Sequence, residues 1–241
     1  TLSGVNTYSG KTTINGGVLQ LSGGGTIASS TGITIGAGAT FDVSLLAATP
    51  YAIPSGSSFG GGTSGTLLGD VNLDSGATLE LTYASGSPAL NVAGGTLTLN
   101  GTVATITVTG SPLGDGSYKL ISKSGSGTVA GTVGAVSVIG SGIVGGGTPA
   151  LAITGGELYL NITGGATLVE WGSGDGTWGV GTTGWNAGGA TTFADGNAVL
   201  LTDTFSTGNP TVTLNTTVLP QIVFVNSTNH YTITGSGDIG G

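Results

Sequence analysis

The sequence contains no cysteine, no methionine and no arginine, and its only cations are Lys11, Lys119 and Lys123. Charged residues make up 6% of 241 positions, where an ordinary domain carries about 25%. Each absence removes a class of function. Without cysteine there is no disulfide framework. Zinc, haem and iron–sulfur centres need cysteine or clustered histidine, and His230 is the single histidine. Three lysines against a net charge of −8 leave nothing to neutralise a phosphate backbone, which excludes nucleic acid as a partner. No apolar run approaches the roughly 18 residues of a membrane helix, so no membrane insertion by this segment is expected. No initiator methionine and no charged-then-apolar leader open the chain at Thr1, so a processed product or an excerpt of something longer is expected.

What is present is small and polar. Gly, Thr and Ser number 51, 40 and 24, almost half the chain. Disorder is opposed by a hydrophobic content of 37% with low charge, the reverse of the disordered signature. An ordered chain with few helix formers and few ion pairs is expected to be built of short strands and many tight turns.

Internal repeats support this. Gly16–Ser22 (GGVLQLS), Gly94–Asn100 (GGTLTLN) and Gly155–Asn161 (GGELYLN) share one unit, and Gly38–Val43 (GATFDV) and Gly76–Leu81 (GATLEL) share another. Each is a glycine turn followed by apolar/polar alternation, which places alternate side chains on one face. Strands of about three to five residues with a small-residue corner every few positions predict a parallel β-solenoid rather than a hairpin sandwich. Leu19, Leu21, Ile35, Phe41, Val43, Leu79, Leu81, Leu97, Leu99, Leu158 and Leu160 are expected to point inward, with the lysines outside. Near Gly164 the composition shifts. Trp171, Trp178 and Trp185 fall seven apart in a Gly/Thr/Ser background, followed by short apolar runs. The expected organisation is a β-solenoid section over 1–164 and a Trp-containing β module over 165–241, stacked on it.

Residues 2–21, LSGVNTYSGKTTINGGVLQL, resemble the passenger-associated transport repeat, also called the autotransporter-associated β-strand repeat. Leu2, Gly4, Asn6, Thr7, Tyr8, Gly10, Thr12, Thr13, Ile14, Gly16, Gly17 and Leu19 carry the resemblance. The Trp-rich tail, ending in Tyr231-Thr-Ile-Thr-Gly-Ser-Gly, resembles segments that alternate with such repeats in very long bacterial surface proteins. The resemblance implies a right-handed parallel β-helix, exported and held on the bacterial cell surface. It also implies that a segment like 231–241 is followed by one like 1–21, so that the chain is one period of a longer array or a subunit whose ends meet.

Other motifs are weaker. Gly56-Ser-Ser-Phe-Gly60 matches the nucleophile elbow, but a serine nucleophile needs a base, and His230 lies in a polar turn. The G-x-G-x-x-G pattern recurs, yet no copy opens a helix that could hold a pyrophosphate. The acids are scattered, Asp70 and Asp74 coming nearest to a pair, so no catalytic, cofactor or metal residues are assigned. Asn100, Asn161, Asn215 and Asn226 lie in N-x-S/T sequons that a bacterial source would leave unmodified. Trp171, Trp178 and Trp185 either pack over a core or form a sugar-stacking platform. Tyr8 and Tyr231 are candidate junction or glycan contacts, Tyr8 being read first as a corner residue. Thr-x-Thr pairs at Thr96/Thr98, Thr105/Thr107/Thr109, Thr211/Thr213 and Thr232/Thr234 raise ice binding, which their irregular spacing opposes. The expected function is therefore structural and non-catalytic: a segment of an extracellular fibre or adhesin stalk, partnered by itself head to tail. A carbohydrate-binding adhesin domain that meets surface polysaccharide through the Trp segment is the alternative.

Overall fold

The computed structural model describes residues 1–84 and 86–241, and among these all regular structure is β, with no helix. The chain forms two compact units. The first comprises Thr1–Thr109, Ser117–Gly140 and Pro149–Asn161, and the second Gly110–Gly116, Ser141–Thr148 and Ile162–Gly241.

The first unit is made of three parallel ladders. In one, Thr12 pairs with Ile33, Ile33 with Phe59, Phe59 with Leu79, Leu79 with Ala104 and Ala104 with Val136. One step along the same strands runs the outward column Thr13, Thr34, Gly60, Glu80, Thr105 and Ser137. A second ladder stacks Tyr51, Val71, Leu97 and Val129. A third stacks Leu19, Phe41, Leu67 and Val92. Alternation decides what each face shows. In Thr78–Ala84, Leu79, Leu81 and Tyr83 are buried while Glu80 and Thr82 face outward. Phe41, Tyr51 and Phe59, one from each ladder, meet with ring centroids 5.7 and 6.4 Å from Phe41, so the ladders share one interior.

Ten of the eleven side chains expected to face inward are buried; Leu19 is half-buried. It lies on Val18–Gly23, which pairs with Thr40–Leu46 on one side and on the other is bridged by Leu2 opposite Leu21, not opposite Leu19. The three lysines are on the surface.

Strand length departs from expectation. Thr96–Thr109 and Thr128–Gly140 run for 14 and 13 residues, because each passes from one ladder into the next without a corner. The register shifts between Asn100 and Thr102, where Gly101 has φ +67°. One extra residue inserted there moves the inward positions from Leu97 and Leu99 to Thr102, Ala104, Ile106 and Val108. True corners are tighter. Gly95 has φ +77°, and a Cβ on it would lie 2.4 Å from the carbonyl carbon of Gly69 in the corner below. No other residue fits both the left-handed backbone and the stacking distance.

The second unit has two parallel ladders of three strands. Val169, Val199 and Val223 stack in one, and Gly176, Val212 and Ile233 in the other. An antiparallel branch departs from the first: Trp185–Asn186 pairs with Leu168–Trp171 on one side and Ala190–Thr191 on the other.

Candidate functional site

The three tryptophans come from three different strands and converge. Trp171 ends Leu168–Trp171, Trp178 ends Gly176–Trp178, and Trp185 begins the antiparallel branch, pairing directly with Trp171. Ring centroids lie 4.8 Å apart for Trp171 and Trp185, and 5.4 Å for Trp178 and Trp185, both edge to face. Phe193 closes the group at 5.5 Å from Trp178. The Phe193 backbone is irregular and its ring belongs to the core. Relative exposure of the three indoles is 0, 0 and 1%, so no ring face is open for a sugar to stack on. The Trp171 Nε1–H donates to the Gly174 carbonyl at 2.9 Å. The Trp178 and Trp185 Nε1–H groups are buried with no acceptor among the described residues, each at a cost of about 1–3 kcal/mol that the packing of the rings offsets. Tyr231 packs against this cluster, and its hydroxyl donates to the Thr202 carbonyl at 2.6 Å. Tyr8 is 43% exposed, and its hydroxyl lies 2.7 Å from Thr12 Oγ1.

The scattered acids have a shared role that sequence reading missed. Each of several aspartates accepts a backbone N–H from a turn or strand about one coil away. Asp70 holds Thr96 at 2.8 Å, Asp175 holds Thr211 at 2.7 Å, Asp195 holds Leu219 at 2.8 Å, and Asp115 holds Gly165 at 2.7 Å. Asp203 is the fullest case. It accepts from the Ser227 hydroxyl, from the Thr228 N–H at 2.8 Å and hydroxyl at 2.7 Å, and from the Asn229 side-chain amide at 2.9 Å. These donors, the Ser227 hydroxyl foremost, lower its pKa to about 2. Burial would raise the pKa of Asp42, but the Ser44 hydroxyl, Gln20 and the Ser44 N–H together hold it below the ordinary value. Asp-Gly at 115, 175 and 195 was the available signal: an acceptor beside a residue that turns freely.

The remaining candidates resolve individually. Asp74 accepts from Asn72 at 2.8 Å, so Asp70 and Asp74 are each engaged, and among the described residues no three acidic or imidazole groups assemble. Ser58 lies within the strand Ser58–Gly62 of the first unit. His230 is exposed in a turn of the second unit, its N–H donating to Asn209 Oδ1 at 2.9 Å. Lys11 pairs with Glu80 at 2.7 Å and Lys119 with Glu157 at 2.9 Å, both at the surface. Beside the Lys11–Glu80 pair, a groove of about 450 Å³ crosses the outward face of the first ladder over Gly36 and Gly62. The Thr-x-Thr pairs divide. Thr105 and Thr107 stack on Glu80 and Thr82, not on another such pair. Thr211 and Thr213, however, stack in register on Thr232 and Thr234, so their separation of 21 residues is one coil.

Residues 1–21 match the family model of the passenger-associated transport repeat. Neither the curated proteins nor the solved structures give a match to the chain.

Proposed function

We propose that this chain is a segment of an exported bacterial surface fibre or adhesin stalk. In this reading its first unit is a right-handed parallel β-helix, it bears load without catalysing a reaction, and copies join head to tail. The observation that carries the reading is the set of unbroken parallel columns, Ile33–Phe59–Leu79–Ala104 above all, in a chain whose first 21 residues match a passenger repeat. The repeat family implies secretion to the cell surface. Stacked backbone hydrogen bonds and a narrow aliphatic interior suit a durable stalk, and the lack of cysteine and methionine leaves little for oxidants to attack.

Unpaired strand edges support head-to-tail joining. Thr12–Ile14 stands first in its ladder, and Ile222–Asn226 and Thr232–Gly235 stand last in theirs; the outer edge of Val18–Gly23 is bridged by Leu2 at Leu21. Apolar side chains are exposed at both: Val5 at 72% and Val18 at 62% on the first coil, Val225 at 61% and Ile233 at 42% on the last. Open strand edges recruit further strands. The first and last coils differ in sequence, so their contact is heterologous and builds a filament if it does not close. The test is electron microscopy of the purified chain and of Ile233→Lys, which places a charge on the exposed last coil. Filaments are expected from the parent chain and not from the variant, with equal melting temperatures. Compact particles from the parent chain at every concentration, or filaments unchanged by the substitution, would overturn the joining scheme.

A further inference from the structure

One outward column of the first unit loses its side chains midway. Gly62 pairs with Thr82. Asn15 and Gly36 follow the paired Ile14 and Ile35, and Gly62 follows Gly61, which pairs with Ile35. Asn15, Gly36, Gly62 and Thr82 therefore stack on consecutive strands, facing outward because Ile14, Ile35, Gly61 and Leu81 beside them are buried. Asn15 and Thr82 stand three strand spacings apart, about 14 Å, with no side chain between them. In the neighbouring column Gly60 leaves a second gap, between Thr34 and Glu80. Together the gaps make the groove of about 450 Å³, walled by threonines, Asn15 and the Lys11–Glu80 pair. The fold accounts for two of these glycines and not for the third. A Cβ on Gly60 would collide with the Glu80 carbonyl oxygen, and one on Gly36 would lie 3.0 Å from the Ile14 carbonyl oxygen. Gly62 has no such constraint. Its φ lies outside the left-handed region, and a Cβ on it would meet nothing nearer than Thr82 Cβ at 3.9 Å. Glycine weakens a strand, and where neither a turn nor a close backbone requires it, it marks a place that a ligand approaches.

We propose that this groove binds a neutral saccharide unit, seated over Gly62 between Asn15 and Thr82. Its volume falls in the range of small-molecule sites, about 300–1,000 Å³. Its charge selects against ions, because Lys11 and Glu80 neutralise each other at 2.7 Å. Its polarity selects against an apolar ligand, which would strip water from the threonine and asparagine groups without replacing the hydrogen bonds. A sugar replaces them. The Asn15 amide both donates and accepts, and the Lys11 ammonium has three donors, of which Glu80 takes one. Thr13, Thr82 and Thr105 each offer a methyl beside a hydroxyl, which suits a ring whose C–H groups alternate with hydroxyls. All these residues belong to the first unit, so the site is separate from the closed tryptophan cluster and serves whether or not copies join.

Saturation-transfer difference NMR reads a bound sugar on single chains and on filaments alike. The full chain is presented with maltose, lactose and diacetylchitobiose, and with glucuronate as the anionic comparison. Transfer to at least one of the neutral disaccharides is expected, and less to glucuronate. Gly62→Thr fills the groove with the side chain that its column already carries at Thr82. It is expected to abolish the transfer with the melting temperature unchanged or raised, because threonine favours a strand. Asn15→Ala is expected to weaken the transfer. Thr213→Val, between the buried Val212 and Leu214 of the second unit, is expected to leave it unchanged. No transfer to any of the neutral disaccharides, transfer to glucuronate alone, or transfer that survives Gly62→Thr would overturn the proposal. So would a lowered melting temperature of Gly62→Thr, since the fold itself would then require this glycine.

Discussion

At the scale of single residues, the tryptophans and the aspartates do the work that ion pairs do elsewhere. Trp178 is buried among Trp185, Phe193 and Leu214. Trp178→Ala is expected to lower stability by about 3–5 kcal/mol, read by denaturant unfolding, as for other buried aromatics. Retention on a polysaccharide column would not change, because the parent ring has no open face. Asp203 gives a pH prediction. Its folded pKa of about 2 lies below the unfolded value near 3.9. Its contribution is therefore complete above the unfolded value and is lost as pH falls toward 2. Hydrogen exchange at Thr228 and Asn229 is expected to stay protected through pH 4 and to lose protection near pH 2; a loss centred near 4 would contradict the assigned bonds. The sequence named the tryptophans and favoured packing, but left sugar stacking open as the alternative, because burial is not written in spacing. It left the aspartates unassigned because their partners are one coil away, at separations from 24 to 50 residues.

At the scale of elements, corners and bulges set the shape. Gly95→Ala is expected to destabilise the first unit by at least about 1 kcal/mol, since alanine disfavours positive φ and its Cβ would press on Gly69. Val43→Ala, which deletes two methyl groups from the buried face, serves as the comparison in the same melting experiment. Element type was legible wherever a glycine turn preceded alternation, as at Gly38–Val43 and Gly76–Leu81. Element length was not. Asn100-Gly101 reads as a turn in sequence, but the chain absorbs it as a bulge and continues straight, since Thr98 and Thr105 both pair onward in parallel. The register of Thr211/Thr213 on Thr232/Thr234 was likewise hidden, because coil length varies and no fixed period exposes it. Thr12 pairs with Ile33 at one step, while Ala104 pairs with Val136 at another.

At the scale of the whole molecule, parallel columns recur in each of the two units, Ile33–Phe59–Leu79 in the first and Val169–Val199–Val223 in the second. The central claim is that strands stack along the axis of a filament. X-ray diffraction from oriented filaments of the purified chain tests it most directly. The expected result is a reflection at about 4.8 Å on the meridian, since neighbouring strands lie that far apart along the stacking direction. The same spacing on the equator would mean that strands run along the filament, and would contradict head-to-tail stacking of the coils.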